Sequence, residues 1–306
     1  MSTHDHEATQ SGYPGPGRPA IERETGGRAR RLPFSLLFGL AIVALFVIAA
    51  LFGPMLDGQD PFSQDLLNRN QSPSLAHWAG TDNFGRDVLS RLLYGARLTL
   101  IVGVGGVICA LIVGAGMSLT ALAIGPWLAA AVFGFIDFIR ALPGVLLALI
   151  LIVALGAGLS SVVIALGIAF SPFFAYIARA AWRREMAADY VTAARTLGAS
   201  RLRILYRHAM PNIGGALITL AAVILPRCIV TESVLSFLGL GVSPDTPTWG
   251  RMIADAVPLV ERAPHAVLVP VFCLSLLTLA LALLGNHVRA AVDPLRAGDP
   301  SGRQRW

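Results

Sequence analysis

The sequence contains no lysine, so all 24 basic residues among its 306 are arginines. A phosphate-binding loop of the usual kind needs a lysine, and its absence argues against ATP hydrolysis by the chain itself. Cysteine is scarce as well, and Cys109, Cys228 and Cys273 each lie alone in an apolar stretch. Zinc sites and small disulfide frameworks need closely spaced cysteines or histidines. We therefore expect the chain to bind neither a metal nor a cofactor of its own.

Charged residues make up only 14% of the chain, whereas 55% of residues are hydrophobic and the mean hydropathy is +0.66. This composition is typical of a polytopic membrane protein and not of a soluble domain. We predict an all-α fold embedded in a lipid bilayer. The net charge of +6 then reflects membrane topology, and we expect no nucleic-acid partner.

Long uncharged runs, separated by polar segments, predict about six transmembrane helices. The first run, from Phe34 to Phe52, has 19 residues, about enough at 1.5 Å per residue to cross a hydrocarbon core of about 30 Å. The uncharged stretch 98–136 is too long for one span, and we divide it at Gly125-Pro126. The predicted spans lie near residues 34–52, 98–124, 127–156, 160–180, 213–238 and 266–284.

Six spans would place both ends of the chain on one side of the membrane. Sixteen of the 24 arginines then lie on that side, and positive charge is retained in the cytoplasm. We predict an N-in, C-in topology, whereas a five-span arrangement would leave an arginine-rich end outside. The predicted divisions are a disordered cytoplasmic arm (1–33), a first span with an extracytoplasmic interfacial segment (34–97), a transmembrane core (98–288) that includes a polar segment (185–211), and a cytoplasmic tail (289–306).

The polar segment 185–211 indicates two short helices joined at Gly198. Asp189 can cap the first helix, and glycine readily adopts the left-handed conformation that ends one. Ala193 and Ala194 keep this helix slim enough to enter a groove in a partner protein. A merely solvated loop is the alternative interpretation.

This segment resembles the EAA signature of ABC importer permeases in Thr192-Ala193-Ala194, Gly198 and Pro211, with Thr192 in place of the signature's glutamate. Three further segments resemble the dipeptide, oligopeptide and nickel branch of that family, in the order of its C-type subunit: Gly80 to Arg91, Leu235 to Gly241 and Pro247 to Ile253. With Asp293-Pro294, the resemblance covers about residues 34–295.

The resemblance implies a type I importer permease in a bacterial cell membrane, with peptides or similar small solutes as cargo. It further implies a heterodimer with a homologous B-type subunit, an extracytoplasmic solute-binding protein and two ATPase subunits that hold ATP and magnesium. The polar segment would form the coupling helix, which transmits closure of the ATPases to the spans. The residues that carry this implied role are Asp189, Thr192, Ala193, Ala194, Arg195, Gly198 and Pro211.

The outer segment 80–97 has apolar residues at helical spacing and is predicted to form an amphipathic helix at the membrane interface. Its wet face would carry Asp82, Arg86, Asp87 and Arg91, with Asp87 and Arg91 as a simple i, i+4 pair. Asp82 and Arg86 are candidate contacts for an extracytoplasmic partner.

Trp249 lies in a predicted outer loop. Tryptophan commonly anchors a chain at the membrane interface, and a contact with the delivery protein is the alternative for this residue.

Ionisable residues inside spans are costly and usually face a cavity or a partner. Asp137 and Arg140 are three residues apart and are predicted to pair on one helix face. Arg227 and Glu232 lie in the outer half of the fifth span, and we predict that they border the translocation path or its outer gate.

Two other function classes are open from the residues alone. A secondary transporter driven by an ion gradient would show paired acidic or broken-helix sites repeated in two halves, and we find no repeat. A membrane-embedded enzyme would need a cluster of catalytic side chains, but His265 and His287 lie at opposite ends of the sixth span.

Overall fold

The computed structural model describes residues 33–56, 58–243 and 245–292. Within these ranges the chain forms helices and no β-strand, with an isolated bridge between Thr81 and Asp87. The predicted disordered arm, most of the predicted tail and the Asp293-Pro294 pair lie outside the described residues. The helices are α1 (Phe34–Leu56), α2 (Val88–Leu111), α3 (Met117–Ile124), α4 (Pro126–Ala141), α5 (Gly144–Leu155), α6 (Leu159–Met186), α7 (Asp189–Thr196), α8 (Arg201–Ile204), α9 (Met210–Phe237), α10 (Trp249–Ala256) and α11 (Pro264–Val292).

Within the described ranges, five stretches of helix are long and apolar enough to cross a membrane, and a sixth is counted if the bent pair of α4 and α5 is one span. The five are Phe34–Gly53, Val88–Ile124, Leu159–Met186, Met210–Phe237 and Pro264–Ala291. The second joins α2 to α3 through a π-helical turn, Ile112–Gly116, and has 37 residues. The predicted all-α polytopic membrane fold is confirmed.

The predicted third span, residues 127–156, is wrong as a single straight helix. α4 and α5 meet at an angle of 97°. Leu142 between them is extended, with φ −91° and ψ 139°, as the residue before a proline usually is. Pro143 stands at the N-cap of α5. The largely apolar composition of residues 127–156 concealed a break that this proline enforces.

The predicted second span begins too late, because the membrane helix already starts at Val88. Asp87 caps it, and its carboxylate accepts a hydrogen bond of 2.8 Å from the backbone amide of Ser90. Residues 88–97 are therefore the first turns of α2 and not a separate helix lying along the interface.

Glycines allow α2 and its π turn to pack closely against neighbouring helices. A Cβ atom on Gly114 would lie 2.1 Å from the carbonyl oxygen of Ser171 in α6, and one on Gly103 would lie 2.5 Å from Ile229 in α9. Small residues favour close helix packing in membranes, where lipid is as apolar as the side chains. One buried cluster accordingly joins α2, α5, α6 and α9, and a second joins α1, α2, α10 and α11.

Replacing Gly114 with alanine is expected to weaken the contact between the π turn and α6. The added methyl group would meet backbone that cannot easily move, and such overpacking costs about 1–3 kcal/mol. Gly116→Ala is the matched control, because a Cβ atom there meets nothing within 4 Å. Thermal unfolding in detergent should show a lower midpoint for Gly114→Ala alone. Equal midpoints for the two variants would contradict this packing.

Candidate functional site

The predicted coupling helix exists as α7, and it ends in a regular glycine cap. Gly198 has φ +81°, in the left-handed region that glycine adopts readily. Its amide donates to the carbonyl oxygen of Arg195 at 2.9 Å, and the amide of Ala199 donates to that of Ala194 at 3.0 Å. This pair of bonds is a Schellman motif, which satisfies carbonyl groups that the helix end leaves open. α7 is therefore a short helix with a defined end.

The predicted cap at the other end of α7 is wrong. Ala188 occupies the N-cap position and has no side chain that could accept a hydrogen bond. Asp189 is instead the first residue of the helix, in the acidic first turn. A carboxylate there stabilises the helix through the positive end of its dipole.

α7 has one buried side and one exposed side. Val191 is fully buried, and Ala194 is half-buried. The exposed residues among the predicted coupling positions are Asp189, Thr192, Ala193, Arg195 and Gly198. Pro211 lies apart from them, in the first turn of α9.

A hydrogen-bonded group connects α7 to the ends of two membrane helices. The hydroxyl of Tyr190 in α7 donates to the carboxylate of Glu185, at the end of α6. The side-chain amide of Asn212, in the first turn of α9, donates to the same carboxylate at 3.0 Å. The hydrogen bond to Glu185 raises the pKa of Tyr190 above its ordinary value. Movement of α7 is thereby linked to α6 and α9.

The sequence did not predict this group, and it did not predict the exposed apolar side chains that follow α7. Leu197, directly after the helix, is 88% exposed, and Tyr206 and Leu202 are 65% and 45% exposed. An acidic residue at the end of an apolar helix, five positions before a tyrosine, was the signal available for Glu185 and Tyr190. For Leu197, the available signal was a large apolar side chain within a polar segment.

The four charged residues that were predicted to lie on the wet face of the outer segment are buried, so that placement is wrong. Arg86 Nε lies 2.6 Å from Asp82 Oδ2, and Arg91 Nε lies 3.7 Å from the same oxygen. Asp255 in α10 receives Arg86 Nη2 at 3.4 Å and Arg251 Nε at 3.0 Å. These five residues form what we call the outer ion cluster, which joins the start of α2 to α10.

The predicted i, i+4 pair of Asp87 and Arg91 is also wrong. Asp87 Oδ1 lies 2.9 Å from His77 Nδ1, while its other oxygen caps α2. Arg91 instead reaches the carbonyl oxygen of Pro61 at 3.1 Å. Both side chains therefore hold the irregular segment before α2 against the start of that helix.

Trp249 is buried and does not anchor the chain at a membrane interface. Its indole nitrogen donates to the carbonyl oxygen of Leu92 at 2.9 Å, and its ring packs edge-on against Phe46. Asp82 and Arg86 are only 7% exposed each. In this conformation the three residues offer no surface to a delivery protein, so their predicted partner contact gains no support.

Asp137 and Arg140 do not form the direct ion pair that was predicted. Tyr176 in α6 stands between them: its hydroxyl donates to Asp137, and the Arg140 guanidinium lies over its ring, 5.1 Å from the centroid. The contact therefore joins α4 to α6, close to the break at Pro143. A cavity of about 580 Å³ opens beside Arg140 and Tyr176.

Arg227 and Glu232 lie on different sides of α9. Glu232 is fully buried, and its carboxylate accepts hydrogen bonds from Ser236 at 2.7 Å and Ser233 at 3.4 Å. Arg227 is exposed and borders an open cavity of about 710 Å³ between α9 and α11. The structure thus separates the two residues that sequence analysis grouped at one gate, and Glu232 has no access to the surface of the chain.

Within the described ranges, no group of three His, Cys, Asp or Glu side chains could hold a metal ion. Helices of membrane length, arranged around the long α2, define an integral membrane protein of the helical-bundle class.

Comparison with known proteins identifies the family. The family described as "Binding-protein-dependent transport system inner membrane component" matches residues 103–297, and the family "N-terminal TM domain of oligopeptide transport permease C" matches residues 35–73. The chain belongs to the first of these families, as a permease subunit of the C type in an ATP-driven, binding-protein-dependent importer.

Curated relatives match most of the chain. The dipeptide transport system permease protein DppC of Alkalihalophilus pseudofirmus is 35% identical, over 84% of this chain and 85% of that protein. The glutathione transport system permease protein GsiD of Salmonella paratyphi A is 38% identical, over 89% and 90%. The di/tripeptide transport system permease protein DppC of Pseudomonas aeruginosa is 38% identical, over 84% and 87%.

A solved structure has a similar fold. An inward-facing form of the MetNI methionine ABC transporter matches with a TM-score of 0.55 at 18% identity, and the match covers 66% of this chain and 96% of that chain. At this identity the similarity concerns the fold alone.

Replacing Asp82 with asparagine is expected to destabilise the outer ion cluster. Arg86 and Arg91 would keep their charges in a buried place without the shared carboxylate, and loss of one partner of a buried pair costs about 3–5 kcal/mol. The matched control is Asp245→Asn, because Asp245 is exposed. We expect a lower thermal midpoint in detergent for Asp82→Asn only. A midpoint equal to that of the control would show that the cluster contributes nothing to stability.

Proposed function

We propose that this permease imports short peptides or chemically similar small solutes, and that it catalyses no reaction itself. The proposal draws on relatives described as dipeptide, di/tripeptide and glutathione permeases. ATP and magnesium would be bound by separate ATPase subunits. The absence of lysine is consistent with this division, since the chain cannot supply the lysine of a phosphate-binding loop.

The assembly would contain a second, homologous membrane subunit of the B type, a solute-binding protein outside and two ATPases inside. Both chain ends would then be cytoplasmic, with the bent pair of α4 and α5 counted as one crossing. The arginines support this orientation, because seven of them lie between residues 179 and 207, around α7. α7 would thus face the cytoplasm, and the outer ion cluster would face the opposite side.

The observation that carries the coupling role is the exposed apolar surface beside a capped and anchored helix. Leu197 is 88% exposed directly after α7, although the neighbouring sequence is polar. Exposed apolar patches on otherwise polar surfaces mark sites of protein association. The Schellman motif holds the end of α7, and the bonds of Glu185 with Tyr190 and Asn212 connect it to α6 and α9. An ATPase that holds α7 would therefore move two membrane helices with it.

The mechanism that follows is alternating access. The ATPase dimer would close on ATP and displace α7, and the ends of α6 and α9 would follow through the shared carboxylate of Glu185. A path between the two membrane subunits would then open towards one side of the membrane at a time. Thr192, which stands where the family signature has glutamate, is exposed and would leave the ATPase one charged contact fewer.

A secondary transporter is the competing function that one observation favours. The 97° break between α4 and α5 resembles the broken helices that hold ions in such proteins, and Asp137 and Arg140 lie near it. Sequence analysis finds no matching segment in a second half of the chain. Transport that survives complete depletion of ATP would support this alternative over the proposed importer.

Leu197→Ser is expected to weaken binding of the ATPase without affecting the fold. Burial of a leucine side chain at an interface contributes about 1.5–3 kcal/mol, so ATPase affinity should fall about tenfold or more. The control is Leu75→Ser, which removes an equally large side chain that is 97% exposed in the outer segment. Co-purification of ATPase with a tagged chain, from gently solubilised membranes, measures the effect. Unchanged ATPase recovery for Leu197→Ser would contradict the proposed docking surface.

A further inference from the structure

The groove between α9 and α11 has several polar side chains in its lining. It has a volume of about 710 Å³ and is open to the surface of the chain. Its polar side chains come from both helices: Arg227, Thr231, Ser275, Thr278 and Asn286. Both helices are otherwise apolar enough to span a membrane. Polar groups on one side of such helices indicate a wall that faces water or a polar partner.

Arg227 is the charged residue among those that line this groove, and it lies far from the ends of α9. Ten residues separate it from the end of α9 at Phe237, so it is about 15 Å from the nearer end of the helix at 1.5 Å per residue. Contact of a guanidinium with lipid chains at such a depth is costly, even if the side chain extends towards the headgroups. We therefore expect the groove to contain water, an anionic group or a polar group of a partner.

No carboxylate among the described residues pairs with Arg227. Glu232, the nearest acidic residue in sequence, is buried and bound by Ser236 and Ser233. α11 contains no acidic residue. The guanidinium thus retains its full capacity to donate hydrogen bonds to a ligand, and guanidinium groups match the planar geometry of carboxylates.

We propose that the groove between α9 and α11 is a water-accessible part of the translocation path, in which Arg227 binds a carboxylate of the cargo. The hydroxyls of Thr231, Ser275 and Thr278 line the same wall and would solvate the rest of a polar solute. This inference rests on the proposed function as an importer of peptides or similar solutes. It adds that a free carboxylate is recognised within the membrane subunit, and not only by the solute-binding protein.

The first test measures the charge that a small probe meets in the groove. Ser275→Cys serves as the reporter, in a chain whose three native cysteines are replaced by alanine, and the full complex is kept in membrane vesicles. The rates of modification by an anionic and a cationic methanethiosulfonate reagent are compared. Arg227→Gln should lower the ratio of anionic to cationic rate about tenfold, because the two probes carry opposite charges and only the anionic one is attracted by Arg227. Arg227→Lys should preserve the ratio.

Arg140→Gln is the matched control, because it removes an arginine that borders a different cavity of the membrane helices. It should leave the ratio at the reporter unchanged. A reporter that both reagents modify without charge preference would overturn the proposal. A reporter that reacts in detergent but not in vesicles would assign the groove to lipid or to a neighbouring subunit, and would overturn it as well.

The second test uses a carboxylate as ligand. Alanyl-alanine at millimolar concentration should slow modification of the reporter by the anionic reagent, whereas alanyl-alaninamide should not. Arg227→Gln should abolish the protection by alanyl-alanine. Equal protection by the acid and the amide, or none by either, would show that Arg227 does not bind the carboxylate.

These measurements separate the two proposals. Dependence of uptake on ATP and on Leu197 tests the importer function and does not involve Arg227. If ATP-driven uptake is intact while the reporter shows no charge preference, only the carboxylate site fails. If the reporter shows the expected preference but transport survives ATP depletion, the site stands and the proposed coupling fails.

Discussion

Lipid is as apolar as the surfaces of these helices, so the hydrophobic effect does not drive them together. The stability of this bundle therefore depends on how closely α2 can approach its neighbours. Gly103, Gly114 and Gly167 leave space for backbone or side chains of the facing helices at distances that no side chain would permit. Because the helices pack this closely, a methyl group added at any of these glycines would clash with an atom of the facing helix. The positions of α6 and α9 relative to α2, and with them the position of α7, follow from these contacts.

The two ends of the bundle are held by different chemistry. At one end the outer ion cluster joins the start of α2 to α10 through carboxylates shared between arginines. At the other end a single carboxylate, that of Glu185, accepts bonds from α7 and α9. A buried ion pair resists rearrangement because loss of one partner is costly. A few hydrogen bonds near a surface rearrange more readily. This asymmetry suits a subunit that moves at the end bearing α7.

Features with a local cause could be predicted from the sequence. Apolar runs predicted the approximate positions of most membrane helices. Gly198 predicted the end of α7, because glycine readily adopts the left-handed conformation found there. Features with a distant cause could not be predicted. The sequence indicates a solvated face for Asp82, Arg86 and Arg91. The structure brings Asp255 of α10, more than 160 residues away, into contact with Arg86. Tyr176 likewise enters the contact of Asp137 and Arg140 from another helix. The break at Pro143 had a local signal, which was outweighed by the apolar composition around it.

The continuous helix from Val88 to Ile124 has 37 residues and is about 55 Å long at 1.5 Å per residue, well beyond a hydrocarbon core of about 30 Å. Its first turns carry Arg91 of the outer ion cluster, and its last turns, in α3, pack against α8, which follows α7. One continuous helix therefore connects the outer ion cluster to the neighbourhood of α8, with the π turn Ile112–Gly116 between its two ends. We expect a displacement at one end to reach the other as tilt or rotation of this helix, and the π turn is where the helix would bend.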